Sequence, residues 1–146
     1  MTIITLGTFD CLHAGHLVLL NKCRTLGTGV IVGLNTDEFI IRYKGKPPLM
    51  NYIERYQTLM ATGMVDEIIP NSQQSGSAKS VIEQSAAEIV VIGSDWARKD
   101  YVGQLGLDWD WLDSKNIGIC YLTYTPGIST TTLKERLASH RDSDHA

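Results

Sequence analysis

A chain of 146 residues, 43% hydrophobic and 20% charged, is long enough for one domain with a buried core. Its net charge of -3 excludes the basic face that non-specific nucleic-acid binding requires, so no nucleic acid is expected as a partner. No leader opens the chain, no run approaches the roughly 20 apolar residues of a membrane span, and the widely spaced Cys11, Cys23 and Cys120 fit reduced thiols, so a cytoplasmic protein with no membrane partner is expected.

Short apolar, β-rich runs alternate with helical patterns along the chain. Ile3–Leu6 reads as a strand and His16–Leu26 as a helix, with Leu17, Leu20 and Cys23 at helical spacing. Val30–Leu34 is a second strand, followed by a short helix over Thr36–Ile41 capped by Asn35 or Thr36. Lys44-Gly45-Lys46-Pro47-Pro48 breaks both periodicities. Tyr52–Thr62 reads as a helix ended by Gly63, and Val65–Ile69 as a third strand stopped by Pro70. After the polar stretch Asn71–Ser77, a helix spans Ala78–Ala87 and a fourth, almost continuously apolar strand spans Glu88–Ile92. Gly93–Gly106 reads as a loop, Leu107–Lys115 as a short helix and Ile117–Leu122 as a fifth strand. Thr123–Ser129 is a loop and Thr130–Ser139 a last helix, where Thr130 would open it.

Such alternation predicts an α/β fold: one Rossmann-like domain over residues 1–140, with a five-stranded parallel sheet, helices on both faces and a flexible tail at 141–146. Ligands of these sheets bind beyond the carboxyl ends of the strands, at the topological switch point. The loops after strands one, two, four and five all converge there.

Gly7-Thr8-Phe9-Asp10 leads from the first strand into His13-Ala14-Gly15-His16 at a helix start. Unpaired N–H groups and the helix dipole favour an anion at that place, and Gly15 permits close approach. Two imidazoles there suit a phosphate. A zinc site would need more ligands than the nearby Cys11 adds, so no protein metal ligand is assigned. Asp10 supports a cation, caps the turn or orients a hydroxyl; spacing leaves all three open. Ser129-Thr130-Thr131 at the last helix suits the phosphates of a nucleotide, and ordinary N-capping accounts for it as well. Trp109 and Trp111 are two apart and cannot both face inward on a helix; the outer one is expected at a partner surface or substrate lid.

Gly7–Asp10 with His13–His16, and then Gly127-Ile128-Ser129-Thr130-Thr131, resemble the two signatures of the HxGH nucleotidyltransferases typified by glycerol-3-phosphate cytidylyltransferase. Further resemblance lies in Asn35–Phe39, the Lys44/Lys46 loop, Glu54-Arg55, Val65–Pro70 and Gly93-Ser94-Asp95-Trp96. The resemblance implies transfer of CMP from CTP to a small phosphorylated acceptor, with release of pyrophosphate, Mg²⁺ as cofactor and a homodimer. His13, His16, Lys44 and Lys46 would be catalytic. Gly7, Thr8, Phe9, Asp10, Gly15, Arg55, Asp95, Trp96, Thr125, Gly127, Ile128, Ser129 and Thr130 would bind nucleotide, Arg55 as a phosphate clamp. An intrahelical surface ion pair is the plainer account of Arg55.

Two family arginines are missing, at the places of Tyr124 and Gly63, and the segment Arg98–Ser114 is longer than a simple linker. Either Arg42, Lys44 and Lys46 compensate, or the acceptor differs. Rival readings are an adenylyltransferase using ATP on a sugar phosphate or vitamin precursor, and a nucleotide-binding regulator without transfer.

Overall fold

A computed structural model describes residues 1–93, 101–122 and 135–140. Five strands form one sheet: β1 (Thr2–Gly7), β2 (Gly29–Asn35), β3 (Glu67–Asn71), β4 (Ile89–Gly93) and β5 (Gly118–Leu122). Their order is β3-β2-β1-β4-β5, and every neighbouring pair is parallel. The chain reverses direction across the sheet between β1 and β4. The switch point therefore lies at the end of β1, beyond Gly7.

Side chains alternate between the two faces of each strand. Ile4, Leu6, Ile31, Ile69, Val90 and Ile92 face a core built by α4 (Lys79–Ser85), α5 (Tyr101–Gln104) and α6 (Trp109–Ser114). Ile3, Val30, Val32, Leu34 and Val91 face the other way, against α1 (Ala14–Leu26) and α3 (Tyr52–Ala61). Helices thus cover both faces, as the long apolar strands require.

Several element bounds depart from expectation for local reasons. α1 begins at Ala14 rather than His16, because His13 is its N-cap. α2 (Asp37–Lys44) runs three residues past Ile41 and stops at Gly45, whose φ of 79° is left-handed. Thr36 caps it by accepting the Phe39 N–H at 3.2 Å. Asn51 and Glu54 form a reciprocal capping box at the start of α3. Pro70 does not stop β3. It lies inside the strand, paired with Leu34, because β3 is an edge with one neighbour and its outer side needs no donor. The stretch expected to be a loop up to Gly106 contains the helical turn α5.

Trp111 packs on the core while Trp109 stands exposed. Among the described residues, no helix is long and apolar enough to cross a membrane. The expected helix at Thr130–Ser139 is described only for residues 135–140, which are helical.

Candidate active site

The loop after β1 is bent by Phe9 and Cys11, with φ of 52° and 53°. Side-chain-bearing residues hold that conformation only when neighbours enforce it. Asp10, between them, is the fastening. Its Oδ2 accepts the Leu49 N–H at 2.8 Å and its Oδ1 the Met50 N–H at 2.9 Å. Phe9 turns inward over Gly7, where a Cβ would lie 3.1 Å from its ring. Gly7 therefore seats Phe9.

The same turn delivers the two histidines. His13 Nδ1 accepts the Gly15 N–H at 3.1 Å, and His16 Nδ1 accepts the His13 N–H at 3.2 Å. The pair is a capping box in which both side chains are imidazoles. Their rings stack with centroids 3.8 Å apart, and Phe9 lies 5.2 Å from His16. Burial pushes the His16 pKa down to about 4, aided by His13, while Asp10 pulls weakly the other way. Burial lowers His13 too. Both are neutral at pH 7. With Nδ1 accepting, the single proton of each ring resides on Nε2. The start of α1 carries two fixed N–H donors and no general base.

Arg55 is 0% exposed and donates four hydrogen bonds within the protein. Nε reaches Met50 O at 3.0 Å, Nη1 reaches Thr8 O at 2.9 Å and Asn35 O at 2.8 Å, and Nη2 meets Asp37 Oδ1 at 2.7 Å. Four of the five Arg55 N–H groups are thus engaged within the protein, and its carboxylate partner is Asp37 at the start of α2 rather than a residue of its own helix. Arg55 braces the ends of β1 and β2 against the loop before α3. Arg42 is likewise engaged, donating to Ser72 O.

Lys44 ends α2 and Lys46 follows Gly45; both are exposed. Tyr43 brings this helix end to the first loop, its hydroxyl 3.3 Å from Thr8 Oγ1, and Lys44 Nζ lies 5.6 Å from the Tyr43 ring centroid. The end of α2 that carries Lys44 thus meets the loop between β1 and α1 at Thr8. Asp95, Trp96, Thr125, Gly127, Ile128, Ser129 and Thr130 lie outside the described residues, as does Tyr124. Gly63 ends α3 with φ of 72°, so no guanidinium reaches the crevice from that position.

Tyr43 and Asn71 were not expected at the site, and Asn35 and Asp37 only as part of the loop after the second strand. Asn35 and Asn71 are buried at the carboxyl ends of β2 and β3, joined by a 3.0 Å hydrogen bond. An asparagine closing an apolar strand was the available signal. Among the described residues no group of three His, Cys, Asp or Glu side chains could hold a metal, and both Asp10 oxygens accept backbone N–H groups.

Comparison with known proteins places this geometry. The family model for cytidylyltransferase-like proteins matches residues 4–136. The glycerol-3-phosphate cytidylyltransferase of Bacillus subtilis strain 168 is 35% identical over 93% of this chain and 96% of its own length. That of Staphylococcus aureus strain NCTC 8325 is 36% identical over 92% and 93%. The crystal structure of a lipopolysaccharide core biosynthesis protein from Thermoplasma volcanium GSS1 superposes with a TM-score of 0.64. It is 22% identical, covers 86% of this chain and 96% of that one, and shows the shared fold. Two neutral imidazoles at the switch point of a β3-β2-β1-β4-β5 sheet and these relatives agree: the chain belongs to the cytidylyltransferase-like family of nucleotidyltransferases.

Proposed function

We propose that the chain transfers CMP from CTP to a small phosphorylated acceptor, for which glycerol 3-phosphate is the first candidate. An acceptor phosphate oxygen attacks the α-phosphorus, the bond from that phosphorus to the bridging oxygen breaks, and pyrophosphate leaves. A phosphate monoester is nucleophilic near neutral pH, so the site needs no base. Catalysis is positioning and charge stabilisation. The observation that carries this reading is the pair of Nε2–H donors held by reciprocal Nδ1 bonds at the start of α1.

His13 and His16 hold the α-phosphate and the bridging oxygen. Lys44 and Lys46 meet the acceptor phosphate, replacing in part the guanidinium groups absent at Tyr124 and Gly63. Asp95 and Trp96 receive the base, and Thr125, Gly127, Ile128, Ser129 and Thr130 the leaving phosphates, by resemblance of sequence. Mg²⁺ enters bound to the triphosphate rather than in a protein cage. The chain acts as a homodimer, a reading supported by the exposed apolar side chains of Ile53, Tyr56 and Met60 along one side of α3 and of Leu49 just before it.

The test is pyrophosphate release from CTP, and separately from ATP, with glycerol 3-phosphate. CTP is expected to be the better donor. His16→Ala is expected to lower kcat at least about a hundredfold, the usual effect of removing one charge-stabilising donor, with the circular dichroism unchanged. Preference for ATP overturns the nucleotide assignment. Retained release in His16→Ala overturns the role of the imidazole.

A further inference from the structure

A polar chain crosses the β2–β3 side of the crevice and takes no part in the transfer just described. It starts at the backbone carbonyl of Gln104 in α5, which accepts from Gln73 Nε2 at 3.3 Å. A backbone carbonyl can only accept, so this contact orients the Gln73 amide and turns its Oε1 toward Asn71. Asn71 Nδ2 donates to that oxygen at 3.5 Å and to Asn35 Oδ1 at 3.0 Å. Asn35 then presents Nδ2 to Thr8 Oγ1 at 3.1 Å. Each amide is oriented by the one before it.

The consequence falls on Thr8 and Tyr43. One lone pair of Thr8 Oγ1 is taken by Asn35, and the 3.3 Å contact with the Tyr43 hydroxyl uses one proton of the two hydroxyls. The second proton has no acceptor among the described residues. The pair presents a surplus donor whichever hydroxyl bridges it. The same polarity leaves Asn71 Oδ1, at the buried end, without a donor among the described residues. That arrangement costs stability, so packing alone does not favour it.

We propose that the surplus hydroxyl proton is donated to a phosphate oxygen of the acceptor, which makes Tyr43 a specificity residue for that substrate. The proposal rests on the transferase reading above. Tyr43 sits on α2, which follows β2, on the side of β1 away from β4. The acceptor must approach the α-phosphate from a side that the nucleotide leaves open, and the β2–β3 side is that side when the base lies beyond β4. Lys44 Nζ lies 5.6 Å from the Tyr43 ring and Lys46 follows two residues later, so an oxyanion rather than a neutral group suits the place.

Tyr43 is 50% exposed, and Tyr43→Phe removes one hydroxyl without emptying the core. With CTP and glycerol 3-phosphate, this variant is expected to raise the KM for glycerol 3-phosphate about tenfold, the order of one hydrogen bond to a charged group. The KM for CTP, kcat and Tm are expected to stay close to those of the unaltered chain. An unchanged KM for glycerol 3-phosphate, or a rise in the KM for CTP instead, overturns the proposal. Calorimetric titration of glycerol 3-phosphate alone separates the two levels. Binding that Tyr43→Phe weakens, without turnover in either chain, overturns the transferase reading and supports the hydroxyl pair. Binding equal in both chains, or absent from the unaltered one, overturns the hydroxyl pair.

Discussion

His13 and His16 each divide their two nitrogens between two tasks. Nδ1 closes the start of α1, and Nε2 keeps the single ring proton. The His16 pKa of about 4 lies below the usual 6.5, so between these values the unfolded chain binds more protons than the folded one. The resulting stability is complete above about pH 6.5 and is lost as pH falls toward 4. Burial of His13 acts in the same direction. Urea unfolding at pH 7.0, 5.5 and 4.5 is expected to show this decline, and His16→Asn to flatten it. An equal decline in both proteins assigns the protons elsewhere. The sequence announced the imidazoles and their anionic partner through His-x-Gly-His at a helix start. It did not announce their charge, because burial and stacking are made by Phe9 and by the fold around it.

Among the elements, Arg55 shows where local reading ends. Its partners Thr8, Asn35 and Asp37 lie 47, 20 and 18 residues away, so no window around Glu54-Arg55 contains the answer. Helix ends are different. Thr36, Gly45 and the Asn51–Glu54 box act within three or four residues and were legible, or nearly so. Pro70 is ambiguous locally, since the same residue stops an inner strand and sits comfortably in an edge; only the sheet order decides. Arg55→Lys keeps the charge but loses the planar fork, leaving the carbonyls of Thr8, just after β1, and Asn35, at the end of β2, without its donors. It is expected to cost about 3 kcal/mol in urea unfolding at pH 7. Arg24→Ala, which removes an exposed partner of Asp66, is expected to cost less than about 1 kcal/mol. Equal costs for the two variants refute the bracing role.

At the scale of the whole molecule, the alternation of strands and helices was enough to predict a parallel sheet, and the crossover at β1 then placed the site. The surface was less legible. Ile53, Tyr56 and Met60 recur every three or four residues, a spacing that reads equally as core, and only the position of α3 shows them outside. If they join two copies, the double variant Ile53→Glu, Met60→Glu is expected to sediment as a monomer while the unaltered chain sediments as a dimer. A monomeric unaltered chain removes the homodimer from the reading.

The amide protons of His13 and Gly15 are held by the very imidazoles proposed above to grip the α-phosphate. Such an amide exchanges with deuterated solvent only when its ring swings away. Its exchange rate therefore keeps time for the disassembly of the site, with no substrate present. If these imidazoles carry the transfer proposed above, the fraying of one helix end and the loss of the chemistry are a single event.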